Sequence, residues 1–141
     1  MEALDLTLQK PRGPRVQLGG LVFMARTVDK LRAEQTGGKM GLYLNRPDGL
    51  SAVLCKRAGI DMDELRAFVA SASNEDEIAA WIEARVPAEN REALNAKLAS
   101  MNIDRLPPDF QAMVRYAHPV MAKRPELSTF FDIFEADDAE P

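Results

Sequence analysis

Proline and glycine cut this chain into short segments, and nearly every segment between the cuts carries apolar residues at helical spacing. The breaks fall at Lys10-Pro11-Arg12-Gly13-Pro14, Thr36-Gly37-Gly38, Gly59, Val86-Pro87, Pro107-Pro108 and His118-Pro119. Proline lacks a backbone N–H and restrains the residue before it, so no long helix or central strand crosses these points. The pattern predicts an all-α fold. Residues 1–141 form a single compact domain of about six short helices with an extended N-terminal arm over residues 1–19.

Local signals place the elements. In the arm, Leu4, Leu6 and Leu8 alternate with polar residues. The first helix runs from about Gly20 to Gln35, with Leu21, Val22, Ala25, Val28 and Leu31 as its apolar stripe. Residues 37–49 are glycine-rich and read as a loop, with a short strand at Gly41–Leu44. A helix over Leu50–Ala58 stops at Gly59, and Asp61 caps the next, with Glu64 completing a capping box. Ser73 opens the following helix, whose first turn is acidic and whose Trp81 is expected at the centre of the core. Pro87 and Pro108 each suit the start of a further helix, the latter carrying Phe110, Met113, Val114 and Ala117. A last helix covers Leu127–Phe134, and residues 135–141 read as an acidic tail that frays.

Composition narrows the function classes. An apolar fraction of 46% and a charged fraction of 28% suit a folding domain rather than a disordered one. No apolar run approaches the roughly 20 residues of a membrane span. The opening MEALDLTLQK does not look like a secretory signal, and Cys55 is the only cysteine, so a cytoplasmic location is expected. With His118 the only histidine, no Cys/His metal site can be built, and no cofactor is expected. The net charge of −4 conceals an asymmetry: residues 1–60 hold ten Lys/Arg against five Asp/Glu, and residues 61–141 hold eight against seventeen. Either the two ends pack together, subunits pair head to tail, or the first half contains an anion site.

The candidate site lies between Pro11 and Ala33. Arg12 and Arg15 sit in the stiffened arm, and Arg26, Asp29 and Lys30 share one side of the first helix at offsets of three and four. Arginine offers a rigid fork for carboxylate or phosphate and lysine a movable charge, while Asp29 can orient Arg26 or Arg32. Tyr43, in the glycine-rich loop, suits the edge of a site because its hydroxyl needs a partner. The plainer explanation is a solvated face with ordinary helix ion pairs. Gly38-Lys39-Met40-Gly41 is not a phosphate-binding loop, since Ala33 and Met40 stand where that motif needs glycine and Ser/Thr. Cys55 reads as a small core residue, and His118 as a structural hydrogen-bonder at a helix end.

Leu4-Asp5-Leu6, Pro14-Arg15, Leu18-Gly19-Gly20, Ala25-Arg26-Thr27-Val28-Asp29-Lys30 and Arg32-Ala33 form a recognisable series. Gly41, Tyr43, Asp48, Gly59-Ile60-Asp61, Glu77-Ile78, Trp81 and Thr129-Phe130-Phe131-Asp132 continue it. In these residues the chain resembles a bacterial domain-of-unknown-function family, number five-oh-six-nine. The resemblance implies that the arm and the Arg26/Asp29/Lys30 face are shared features, and it implies no activity.

The expected function is therefore a non-catalytic binding or interaction protein, a homo-oligomer with no membrane partner. Arg15, Arg26 and Lys30 would contact an anionic small molecule or an acidic partner segment, Asp29 would orient the cations, and Tyr43 would close one edge. The alternative is an enzyme using the same pocket, with Asp29 or Asp48 as general base and Lys30 or Tyr43 as acid. Single-stranded nucleic-acid binding is the weakest alternative, because it needs stacked aromatics and the basic half has only Phe23 and Tyr43.

Overall fold

The structure is a computed structural model that describes residues 1–43, 45, 46 and 49–140. Among the described residues it is all-α, with eight helices: α1 (Met24–Glu34), α2 (Leu50–Ala58), α3 (Met62–Ser71), α4 (Glu75–Arg85), α5 (Ala88–Ser100), α6 (Pro108–Ala117), α7 (Val120–Lys123) and α8 (Phe130–Ala139). A 3-10 turn, Ile103–Arg105, precedes α6. No described residue belongs to a strand, so the one expected at Gly41–Leu44 is not formed there; Gly41 turns with φ +60°, and Leu44 lies outside the described residues.

Where a local signal dominates, the elements follow it. The α2 helix ends at Gly59, whose left-handed φ of 72° lets its N–H reach the Cys55 and Lys56 carbonyls. The Asp61 side chain accepts from the Asp63 and Glu64 N–H groups at the start of α3. Pro108 occupies the first turn of α6. The α4 cap is Asn74 rather than Ser73: Asn74 Oδ1 accepts from Glu77 N, and the Ser73 N–H donates to Glu77 Oε2.

Helix α1 starts at Met24, four residues later than its apolar stripe suggests. Leu18 and Leu21 exchange both backbone hydrogen bonds at 3.1 Å, and Gly19 and Gly20 between them are left-handed at φ +62° and +79°. Phe23 follows at φ +66°, a strained conformation for a bulky residue. Its N–H donates to Pro14 O at 2.8 Å, and its ring stacks on Phe131 with centroids 5.8 Å apart. Those contacts hold the backbone in a state that costs about 1–3 kcal/mol locally.

The α1 helix is the central element, with eight of its eleven residues buried. Its apolar residues join Leu54, Leu65, Ile78, Ile82, Leu98 and Phe131 in the main core. A smaller core gathers Ile103, Val120, Met121, Leu127, Ile133 and Ala136. Helix α8 straddles both: Phe131 belongs to the first, Ile133 to the second, and Phe134 packs against each.

Three further expectations need correction. Trp81 is not the centre of the core; it lies half-buried beside the Ile78/Ile82 stripe, stacked on Phe68 and covered by the Arg85 guanidinium at 3.6 Å. Helix α6 buries no residue, and Phe110, Met113 and Tyr116 are exposed. The acidic tail does not begin at residue 135, because the chain stays helical through Ala139. A helix end carrying Asp137 and Asp138 opposes its own dipole, so sequence alone argues against it; contacts from elsewhere in the fold reverse the balance.

The turn before α1 yields a prediction. A Cβ on Gly19 would lie 2.7 Å from Ile82 Cβ, whereas one on Gly13 would meet nothing within 4 Å. Gly19→Ala is expected to lose about 2 kcal/mol or more in urea unfolding, from the positive φ and the clash. Gly13→Ala is expected to be neutral or slightly stabilising in the same assay.

Candidate functional site

The site is built on the polar side of α1, where Arg26 and Asp29 are 5% exposed each. Charges at that depth need partners, because the desolvation of an unpaired ion costs several kcal/mol. Asp29 finds its partner in Arg12 of the arm. Arg12 donates to it three times: from the backbone N (2.8 Å), from Nε (3.1 Å) and from Nη2 (2.9 Å). The Arg12 guanidinium also reaches Glu75 at the start of α4, at 2.5 Å. Burial alone would lower the Arg12 pKa, but the hydrogen bonds and charges of Asp29 and Glu75 together raise it. Asp29 thus orients Arg12, not Arg26 or Arg32 as its spacing suggested; Arg32 donates to the Glu2 carbonyl instead.

Arg26 points at the end of α8. Its Nη1 donates to Asp138 Oδ2 (2.6 Å) and its Nη2 to Asp138 Oδ1 (3.1 Å), a two-pronged pairing of fork and carboxylate. Nη1 also donates to the Arg12 carbonyl at 3.2 Å, so the Asp29–Arg12 unit positions Arg26 in turn. The guanidinium lies 5.6 Å from the ring centroids of Tyr43 and Phe134. Lys10, further along the arm, donates from Nζ to the carbonyls of Asp138 and Glu140, the groups a helix end leaves unsatisfied.

Lys30 stands one helical turn beyond Arg26, its Nζ 5.9 Å from the Phe23 ring centroid. Among the described residues it makes no hydrogen bond and no ion pair. Burial, and then the Arg26 charge, push its pKa down to about 8, against a weaker upward pull from Glu34 and Asp138. Burial first and the Asp138 charge second push the Tyr43 phenol up, so it keeps its proton at neutral pH. Arg26 and Tyr43 thus centre on the Asp138 carboxylate, and Lys30 stands at its margin, acted on by Glu34 more than by Asp138.

Arg15 lies outside this group. It pairs with Asp132 at 2.9 Å and with Glu135, and its guanidinium sits 5.6 Å from the Phe131 centroid. Its hydrogen bond, with one from Thr129, holds the Asp132 carboxyl below its usual value. Three of the five residues singled out from the sequence thus converge, Arg26, Lys30 and Tyr43; Arg15 clamps the other end of α8, and Asp29 acts through Arg12. The residues that sequence reasoning missed are Asp138 and Lys10. The signal for the first was the repeat Asp132, Glu135, Asp138 at intervals of three, which sets one acidic face on a helix.

The remaining candidates are structural or lie elsewhere. Cys55 is buried, and burial above all pushes its thiol up to about 11, away from reactivity. His118 pairs with Asp137 and leans on Phe134. Asp48 falls outside the described residues. Among those residues no three His, Cys, Asp or Glu side chains gather as a metal site, and no helix is long and apolar enough to cross a membrane. Two shallow surface grooves, one along α5 and one between Arg124 and α8, are lined by none of Arg26, Lys30 and Tyr43. In the polar cluster the anion position is filled by Asp138.

Fold and cluster define a small all-α domain organised around a charged central helix. Residues 8–140 match the family described as a domain of unknown function, DUF5069, and the chain belongs to that family. The match takes in every residue of the cluster, from Lys10 to Asp138. No curated protein matches the chain.

Two predictions follow from the electrostatics. Lys30 has a folded-state pKa of about 8 against an ordinary 10.5. Between those values the unfolded chain holds a proton that the folded chain has shed, so this residue makes stability rise with pH there. Lys30→Met is expected to raise the unfolding free energy at pH 7 by about 2 kcal/mol, after allowance for partial exposure, with the gain shrinking toward pH 10. Arg12→Ala strands the buried Asp29 and is expected to cost about 3 kcal/mol, whereas Arg15→Ala, which breaks only exposed pairs, is expected to cost under about 1 kcal/mol. Urea titrations at the stated pH measure all three.

Proposed function

We propose that this protein is a non-catalytic binding or interaction protein that holds an acidic group on its basic N-terminal surface. Arg26 and Lys30 contact the anion, Tyr43 closes one edge, and Asp29 positions Arg26 through Arg12. Arg15 takes a flanking acid. The observation that carries this reading is Asp138 itself. A carboxylate already sits in the Arg26 fork with Lys30 and Tyr43 around it, so the geometry and charge suit a carboxylate.

The occupant is a small carboxylic acid or an acidic partner segment. The same reading includes a cytoplasmic homo-oligomer; Phe110, Met113 and Tyr116 on α6 offer an apolar face to a second copy. The enzyme alternative with Asp29 as its base is weakened, since both Asp29 oxygens are engaged by Arg12. Nucleic-acid binding is weakened as well, because Phe23 is 1% exposed and offers no face to a base.

The test is a thermal-shift panel of carboxylates, from succinate and citrate to an acidic peptide, at pH 7 and low salt. At least one member is expected to raise the melting temperature in proportion to the logarithm of its concentration. Lys30→Met should abolish that rise while folding normally. A wild-type protein indifferent to the whole panel would falsify the reading.

A further inference from the structure

Resting on that reading, we infer that the last turn of α8 is a displaceable internal occupant of the carboxylate site: Asp138 fills it in the free chain, and an external carboxylate takes its place and releases the helix end.

The division of labour along α8 supports this. Its first two turns are fixed by buried Phe131, Ile133 and Ala136, with Phe134 wedged between the two cores. Beyond Ala136 none of the described residues is buried. Among the described residues the end is held by polar contacts: Arg26 and Lys10 on Asp138, His118 on Asp137, and Lys10 and Lys123 on Glu140. Beyond its backbone hydrogen bonds, such as Glu140 N–H to Asp137 O at 3.1 Å, the helix sequence does little to favour that end. It has no basic residue in its last turn, and Asp137 and Asp138 face an unfavourable dipole. Ala136 is therefore the boundary between a part that cannot leave and a part that can.

The charges in the site favour exchange. Asp138 satisfies Arg26 but forms no hydrogen bond with Lys30, which feels only the unbonded charges of Glu34 and, more weakly, Asp138. An incoming dicarboxylate, or a pair of adjacent acidic side chains, brings a second carboxylate that can pair directly with Lys30, as no described residue does. Asp138 competes through its tether, at an effective concentration of roughly millimolar or more, and so sets the threshold that an external acid must exceed.

The experiment compares wild type, Asp138→Asn and Lys10→Met as full chains. Calorimetric titration with succinate and with an Asp-Asp-containing peptide distinguishes a small acid from a protein segment. Hydrogen exchange follows the amides of residues 137–140. Asp138→Asn removes the competing negative charge from the fork and is expected to bind the preferred acid at least about tenfold more tightly than wild type. Lys10→Met leaves the buried pair intact and loosens the helix end; it should bind more tightly too, by a smaller factor, and it keeps the test open if Asp138→Asn fails to fold. Adding the acid to wild type should speed exchange at residues 137–140 and leave residues 131–134 unchanged. Equal affinity in all folded chains, or no change in exchange at the helix end, overturns the displacement while leaving the carboxylate site standing. Binding by none of the chains overturns both.

Discussion

Two opposite charges on the central helix, Arg26 and Asp29, govern the arrangement of both ends of this chain. Each is almost wholly buried, and a buried ion is tolerable only when another ion and well-aimed hydrogen bonds hold it. Neither can serve the other's need alone, so one counter-ion comes from each terminus. The arm delivers Arg12 to Asp29 and α8 delivers Asp138 to Arg26, with the Arg12 carbonyl linking the two pairs. The opposite charge balances of the two halves are thus reconciled by contact. Arg15 with Asp132 and Glu135, and Lys10 with the end of α8, extend the same seam.

The apolar packing makes that seam possible. Phe23 has to place its ring between Phe131 and Phe134, and it does so from a left-handed backbone position that a bulky residue normally avoids. The two left-handed glycines before it swing the arm back across α1. Strain at the start of the helix is offset by a stack that also locates α8. The same aromatic residues then line the cations: Arg15 over Phe131, Lys30 over Phe23, Arg26 over Phe134. Apolar and polar selection act on one surface, which fixes the register of α8 against α1 more tightly than either would alone.

What the sequence disclosed depended on how local each signal was. The limits of α2, the Asp61 cap and the proline starts rest on a few neighbouring residues, and they were legible. The start of α1 was not, because its apolar stripe continues through Leu21 and Val22 while the backbone there turns. Trp81 misled because size suggests depth, yet its place beside the Ile78/Ile82 stripe leaves it at the edge. The C-terminal helix was hidden for a different reason. Its acidic end is unfavourable taken alone, and two of the partners that stabilise it, Lys10 and Arg26, lie more than a hundred residues away. Within the site, Arg26 and Lys30 could be paired by their offset of four, and Tyr43 stood out in its loop. Asp138 carried no local mark beyond its spacing from Asp132 and Glu135.

Lys30 is the part of the cluster that structural economy does not explain. Arg26 with Asp138, and Asp29 with Arg12, are balanced pairs, and a domain that needed only to close its ends would be complete with them. Lys30 adds a positive charge to a half-buried position, pressed against an aromatic ring and one turn from another cation. Burial and repulsion both disfavour its charged form, and among the described residues no hydrogen bond or ion pair relieves it. A methionine of similar length would fill the same space without that cost. Residues that lower stability where a simpler one would raise it are characteristic of sites that must meet something outside the chain. That is why the proposed occupant is an acid: a neutral ligand would leave Lys30 without a direct counter-ion, a cation would add to the repulsion from Arg26, and a carboxylate could pair with it.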